Sequence, residues 1–326
     1  MKLYINGKNV DPYSLPDVKD WLSGKPLLTK TSGTSGYPKA VNHSHEVMQQ
    51  IVRNNVKAMG HHKKTKMLSI LNPKGIGFQS MMLYVAIEAD CDLYLEDFNP
   101  ATYVDRMNEI KPTYSVIAPN IWRSLHRREK WKSLDLSYCE TFVMGGDFTP
   151  HGALDELRLH GPDRVLNVYG STEVPPVVLY SEEENRYSHR STPEDVEVSI
   201  SETSTLLCKW KAQSEWWDSG DLVSGLLSEF ELKGRQLNMF KQNIQRIYPE
   251  ELEKAATDCG ADLALCREDG RYAHIYYTGD LDEDRVRNKL SFVPKLRVSK
   301  VNDIKIDENL RKVLRNQELE VSNEYR

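Results

Sequence analysis

Residues 31–39 read Thr31-Ser32-Gly33-Thr34-Ser35-Gly36-Tyr37-Pro38-Lys39. Small residues in succession let backbone N–H groups crowd around an anion. The hydroxyls add donors and Lys39 adds a point charge, so the stretch has the chemistry of a phosphate cradle. No Gly-Lys-Ser/Thr closes it, so it is not a Walker loop. By itself it reads equally well as an ordinary surface loop. Its flanks are regular. Leu27–Lys30 runs into it as a short strand, and Val47, Met48, Ile51, Val52 and Val56 recur at helical spacing over His45–Met59 behind it.

Outward from this point the chain alternates. Strand-like runs at Lys66–Leu71, Asp92–Leu95, Tyr114–Ala118, Tyr138–Met144 and Arg164–Val168 are separated by helix-like runs at Phe78–Ala89, Pro100–Ile110 and Ile121–Arg128. Such alternation builds layered α/β domains. From about residue 185 the texture turns polar and β-rich, with a hairpin over Trp216–Val223 and Leu226–Leu232 and a linker at Gly234-Arg235. Beyond it, Pro249 opens a helix with Glu250 and Glu251 in its first turn. Strands at Leu263–Cys266 and Tyr272–Tyr277 follow, then helices at Asp282–Leu290 and about 307–320. The expected fold class is α/β: a large layered domain of mixed sheets with helices and a β-rich end (residues 1–236), then a small, mobile α+β domain (residues 237–326).

Composition narrows the function classes. A net charge of -5 gives no general reason to bind nucleic acid. No apolar run approaches the roughly 18 residues that a membrane span needs. Met1–Gly7 lacks the apolar core of a signal peptide, so a cytoplasmic location is expected. The five cysteines are scattered and odd in number, with no Cys-x-x-Cys pair, and read as buried reduced thiols.

Further motifs follow the Thr31–Lys39 stretch in a fixed order. They are Gly145-Gly146-Asp147, Tyr169-Gly170-Ser171-Thr172-Glu173, Trp217-Asp218-Ser219-Gly220-Asp221, and Gly234-Arg235 followed by Lys241, Ile247, Pro249 and Glu253. Each alone is a turn or a cap. Together, and in this order, they resemble the motifs of the adenylate-forming superfamily: acyl-CoA synthetases, peptide-synthetase adenylation domains and luciferases. The resemblance is clear from residue 27 to about 255 and weak from there to 315.

The resemblance implies an enzyme that activates a carboxylic acid with ATP and Mg²⁺ and releases pyrophosphate. It implies that Thr31, Ser32, Gly33, Thr34, Ser35, Gly36 and Lys39 hold the β- and γ-phosphates. Gly145, Gly146 and Asp147 line the adenine and Tyr169 stacks on it, with Gly170 and Ser171 beside it. Thr172 meets the α-phosphate, Glu173 holds Mg²⁺, Asp221 holds the ribose, and Arg235 reaches the ribose or the phosphate side. The small-acid pocket falls at Gly75, Phe78 and Gln79. Gln79 stands where amino-acid-activating members carry an aspartate, which favours a simple acid over an α-amino acid.

The sequence also departs from the family pattern. Only about thirty residues precede the phosphate loop, where members usually carry a long subdomain. The stretch between Glu173 and Asp221 is also short. Glu308 falls at the position of the family's C-terminal catalytic lysine, leaving Lys305, or else Lys312, as its replacement. Ile244 replaces a glycine of the pantetheine tunnel, which tells against CoA or phosphopantetheine. Leu237 replaces the usual hinge residue. The acyl acceptor therefore stays open among CoA, a carrier-protein thiol and an amine. A nucleotide-binding regulatory protein without turnover is the alternative. Several features carry blander readings. His61–Lys66 and His126-Arg127-Arg128 read as solvated helix ends, Trp216-Trp217 as hairpin core, Glu182-Glu183-Glu184 as exposed loop, and His43 and His45 as helix packing or capping.

Overall fold

The structure, a computed structural model, describes residues 1–30, 40–236, 238–242, 245–306 and 317–319. The Thr31–Lys39 loop, Leu237, Ile244, Glu308 and Lys312 lie outside the described residues.

Strands β1 (Leu3–Ile5) and β2 (Lys8–Val10) form a hairpin, and helix α1 (Pro16–Leu22) follows. Strands β3 (Leu27–Lys30) and β4 (Ala40–His43) pair antiparallel, with Lys30 opposite Ala40. Helix α2 (His45–Met59) starts where the Ser44 hydroxyl accepts the Val47 N–H at 3.2 Å and stops at Gly60, which takes φ 75°. Next come β5 (Lys66–Ser69) and a helix made of α3 (Ile76–Phe78), a π-helical stretch at Gln79–Leu83 and α4 (Tyr84–Glu88). The chain continues through β6 (Asp92–Leu95), α5 (Tyr103–Ile110), β7 (Tyr114–Ile117), α6 (Pro119–Leu125), β8 (Thr141–Gly145), α7 (Ala153–Arg158), β9 (Val165–Tyr169) and β10 (Leu179–Ser181).

These strands make one eight-stranded sheet in the order β10-β9-β8-β7-β5-β6-β1-β2. The six inner strands are parallel and the two edge strands antiparallel. Parallel strands covered on both faces need apolar side chains on both. Successive residues accordingly enter opposite cores. Met67, Val116, Val143 and Leu166 join α2, while Leu68, Ile117, Phe142 and Val165 join α5, α6 and α7. The helix over Ile76–Glu88 completes the first layer.

A second sheet follows, built of β11 (Arg186–Tyr187), β12 (Val196–Ile200), β13 (Thr205–Trp210), β14 (Trp217–Leu226) and β15 (Glu229–Arg235) in the order β11-β15-β14-β13-β12. Its Leu206, Cys208, Trp210, Val223 and Phe230 share the core of α2. Gly234 and Arg235, expected as a linker, end β15 instead, because they pair with Leu222 and Asp221 of β14. Trp216, expected in the hairpin core, is exposed and lies under the Lys209 ammonium.

The short pair β16 (Phe240–Gln242) and β17 (Gln245–Ile247) leads into α8 (Pro249–Asp258), β18 (Ala261–Asp269), β19 (Tyr272–Gly279), α9 (Glu283–Lys289) and β20 (Leu296–Lys300). β18 and β19 run antiparallel, and β20 adds parallel to β19 after the α9 crossover. This C-terminal unit has its own core of Leu252, Ala255, Ala256, Ala264, Cys266, Ala273, Ile275 and Val286. Of the helix expected over 307–320, residues 307–316 and 320 lie outside the described residues, and Gln317–Leu319 are not helical. All five cysteines are free and buried. Among the described residues no helix is long and apolar enough to cross a membrane.

Candidate functional site

Ligands of open α/β sheets bind outside the carboxyl ends of the parallel strands. There β8 ends at Gly145, with Gly146 at φ 90° and Asp147 following, and β9 ends at Tyr169. The second sheet meets them edge-on. Tyr169 donates its hydroxyl to Asp221 Oδ2 at 2.6 Å, and Arg235 Nε lies 3.1 Å from Asp221 Oδ1. Asp221 and Arg235 are Cα partners in the β14–β15 ladder, so the ladder itself sets the ion pair. Burial, with the Asp221 charge added, pushes the Tyr169 phenol well above its ordinary range, and it remains a donor at neutral pH. Burial works most strongly against the Arg235 cation, but Asp221 together with Tyr169, Glu173 and Glu250 outweighs it and raises the guanidinium.

The loop after Tyr169 is tight. A Cβ on Gly170 would lie 2.6 Å from Pro176 Cα. Ser171 Oγ accepts the N–H groups of Glu173 and Val174 at 3.2 and 3.1 Å. His43, at the end of β4, approaches the Thr172 carbonyl through Nε2 at 2.7 Å. A carbonyl only accepts, so Nε2 carries the proton. Burial lowers the His43 pKa, against the opposing pull of that hydrogen bond and of Glu173, and keeps the ring neutral. His43 thus ties a strand to this loop rather than capping or packing a helix, while His45 does pack, against Trp21. Among the described residues the Glu173 carboxylate forms no ion pair and accepts no hydrogen bond.

A cleft opens between these elements and the C-terminal unit, with about 200 Å³ of water-accessible space. A single water needs only ~10–15 Å³ by this measure, so the cleft is of ligand size. Gly146, Asp147, Tyr169, Gly170, Asp221 and Arg235 line one side. Glu250, Glu253, Lys254 and Thr257 line the other, at the i, i+3, i+4, i+7 spacing of one face of α8, with Leu263 and Ala264 beyond them. Arg123 of α6 also lines it, with its Nε buried and without a hydrogen-bond partner among the described residues. Burial lowers the Arg123 pKa, and Asp147, Asp258 and Glu253 oppose that shift.

The structure therefore gathers six sequence-predicted residues in one cleft, with Gly145, Ser171, Thr172 and Glu173 adjoining in the chain. It does not bring Gly75, Phe78 and Gln79 to this cleft. Phe78 and Gln79 are buried, and Gln79 Oε1 lacks a partner among the described residues. Lys305 is exposed and does not line the cleft. Its backbone N–H donates to Gln317 Oε1 at 2.7 Å. Thr31–Gly36 and Lys39 lie outside the described residues. The strands flanking them pair, and β4 reaches Thr172 through His43. Sequence reasoning missed Arg123 and the α8 face. Both are polar helical positions that look solvent-facing until the cleft is assembled.

The sequence pattern of AMP-binding enzymes matches residues 27–214. Indoleacetate–CoA ligase of Aromatoleum aromaticum is 25% identical over 155 residues, covering 47% of this chain and 30% of that protein. The chain thus spans less than a third of that curated relative. O-Succinylbenzoate coenzyme A synthetase of Bacillus subtilis, solved with AMP, superposes with a TM-score of 0.74 at 18% identity, covering 89% of this chain and 68% of the other. The amide bond synthetase McbA of Marinactinospora thermotolerans superposes with a TM-score of 0.72 at 16% identity, covering 88% and 67%. At these identities the superpositions establish the fold alone. The family pattern spans more than half of the sequence and takes in β8, β9 and the loop to Glu173, and on that match the chain belongs to the AMP-binding enzymes.

Proposed function

We propose that the chain activates a carboxylic acid with ATP, forming an acyl-adenylate and releasing pyrophosphate, and passes the acyl group to a nucleophile. The observation that carries this reading is the Tyr169–Asp221–Arg235 cluster in the cleft, with the Glu173 carboxylate on the adjoining loop uncommitted among the described residues. Asp221 would accept the ribose hydroxyls, exchanging its bond from Tyr169 for bonds from the sugar. Tyr169 and the Gly145–Asp147 segment would enclose the base. Thr31, Ser32, Gly33, Thr34, Ser35, Gly36 and Lys39 would hold the terminal phosphates, and Thr172 the α-phosphate.

Mg²⁺ is held in many phosphate sites by one or two carboxylates, the substrate phosphates and water. Glu173, without an ion pair among the described residues, fits that pattern. Bound there, the metal would neutralise phosphate charge. The chain's own contribution is position. His43 and Ser171 fix the loop that carries Thr172 and Glu173, and in-line transfer to an acid oxygen needs orientation and charge neutralisation more than covalent help. Of the C-terminal lysines, Lys305 remains the proposed contact to the acid and α-phosphate.

Gln79 is buried and carries an amide rather than a carboxylate, which supports an uncharged acid substituent over an α-ammonium, since a neutral amide pairs poorly with a buried cation. CoA, a carrier-protein phosphopantetheine and an amine remain the acceptor classes. A division at residues 1–236 and 237–326 accords with the separate core of the C-terminal unit. ATP–pyrophosphate exchange across a panel of fatty, aryl and amino acids tests the reading. Acid-dependent exchange is expected, and Glu173→Gln should cut it roughly 10²-fold, the scale of a preorganised charge contact. Exchange unchanged in Glu173→Gln would remove the metal assignment. Binding of AMP without exchange for any acid would leave a nucleotide-binding protein without turnover.

A further inference from the structure

Arg127 follows the end of α6 and reaches across to the C-terminal unit. Its Nη1 donates to the Gly260 carbonyl at 2.8 Å and to Asp262 Oδ1 at 2.7 Å. Its Nη2 donates to the Ala261 carbonyl at 3.1 Å and, at 3.5 Å, to the Thr257 carbonyl. One guanidinium thus grips the whole corner where α8 ends and β18 begins. The carbonyl end of a helix carries partial negative charge, which favours a cation there. The turn that presents Arg127 is itself fixed, because the Arg128 N–H donates to the Leu125 carbonyl and Arg128 Nε to the Ser124 carbonyl.

The grip matters because of what α8 does at the cleft. A ten-residue helix is about 15 Å long, and one face of it forms the cleft's outer wall. Its near end is held beside β15, where Asn238 Nδ2 donates to Glu250 Oε1 and Lys233 pairs with Glu251 at 3.1 Å. Its far end, with Thr257 and the neighbouring Leu263 and Ala264, meets the large unit through Arg127. Asp221, Arg235 and Tyr169 are fixed within the large unit and do not depend on this contact.

We propose that Arg127 is a positioning residue that seats the far end of α8 and so sets how tightly the cleft holds, and how fast it releases, its nucleotide. The inference rests on the nucleotide reading above and goes beyond it. Arg127 is not among the residues that line the cleft and acts through the α8–β18 corner.

Calorimetry and stopped-flow release with AMP test it on the full chain carrying Arg127→Gln, Arg127→Lys, Asp262→Ala and the Arg127→Gln/Asp262→Ala pair. Arg127→Gln should weaken AMP binding about tenfold, the scale of losing one charge-assisted contact, chiefly through faster release. Arg127→Lys should fall between it and the wild type. The double variant should lose no more than Arg127→Gln alone, showing that the effect passes through the Asp262 corner. If Arg127→Gln keeps wild-type affinity and release rate, even with a lowered melting temperature, the residue is only structural and the inference fails. Additive losses in the double variant would overturn it as well. A wild-type chain that binds no AMP would bring down the nucleotide reading, and this inference with it.

Discussion

Gly170 has no room for a side chain, because Pro176 stands where its Cβ would go. Adding that methyl must push apart the two arms of the 170–176 loop. Overpacking of this kind costs about 1–3 kcal/mol, and here the displaced segment carries Thr172 and Glu173. Gly170→Ala should therefore lower the thermal midpoint and cut acid-dependent pyrophosphate exchange at least several-fold, both measured on the same preparation. At this scale the sequence is legible where chemistry is local. Tyr169, Gly170 and Glu173 stand together in five residues, and their order is informative before any contact is known. The Tyr169–Asp221 bond is not legible, because the partners lie 52 positions apart. Arg127 shows the same limit more sharply. Within His126-Arg127-Arg128 it has every mark of a solvated helix end, yet its acceptors begin 130 positions later. His61 is misread likewise: it is buried edge-on against Tyr114 and is not part of a solvated cluster. In the acidic run, Glu184 turns inward and accepts the Leu154 N–H at the start of α7.

Elements are held to one another by a few buried polar groups. Asn55 lies on the apolar face of α2. Its Nδ2 donates to the carbonyls of Ser80 and Pro176 at 2.9 and 3.0 Å, and its Oδ1 accepts the Val177 N–H at 3.0 Å. One side chain thus joins α2, the Gln79–Leu83 stretch and the end of the Gly170–Pro176 loop. Asn55→Ala would leave the Val177 N–H without its acceptor, while the Pro176 carbonyl would keep the Ser80 hydroxyl at 3.2 Å, and an unsatisfied buried group costs about 1–3 kcal/mol. We expect roughly 1–3 kcal/mol of lost stability, read as a lower urea midpoint at unchanged slope. The elements themselves were legible to different degrees. β7, β8 and β9 are near-continuous apolar runs, broken only by Ser115, Thr141 and Asn167, as strands buried on both faces tend to be. α2 announces itself by period. β12, β13 and β20 escape notice because the stretches that contain them are polar, and half of each alternating pattern faces away from the core. β10 escapes because three residues are too few to show a period.

At the scale of the whole molecule, four histidines are held toward the neutral form by burial. Burial lowers the pKa of His43, His126 and His274, and it pushes His61 down to about 3. Folded histidines with depressed pKa values refuse protons that the unfolded chain accepts at about 6.5. Stability from this source is complete above about pH 6.5 and declines as pH falls toward the folded values. For His61 the window runs from its ordinary value down to about 3. The loss can approach ~1.4 kcal/mol per pH unit inside it. Urea midpoints at pH 7, 6 and 5 should fall steadily in the wild type and less steeply in His61→Phe, whose ring can keep the contact with Tyr114. Equal slopes for the two proteins would assign the acid sensitivity elsewhere.

The long reach within the eight-stranded sheet also sets a timetable for synthesis. β1 pairs with β6, and the Lys2 N–H finds Asp92 across 90 positions of chain. At roughly 5–20 residues per second, β1 is out of the ribosome some 5–20 s before its partner is made. Until then β2 is its one strand partner among the described residues, and a two-stranded hairpin by itself is marginal in water. The Leu3–Val10 ribbon therefore waits with its β6 edge unpaired, available to a chaperone or to a neighbouring nascent chain, until Asp92–Leu95 offers it an edge.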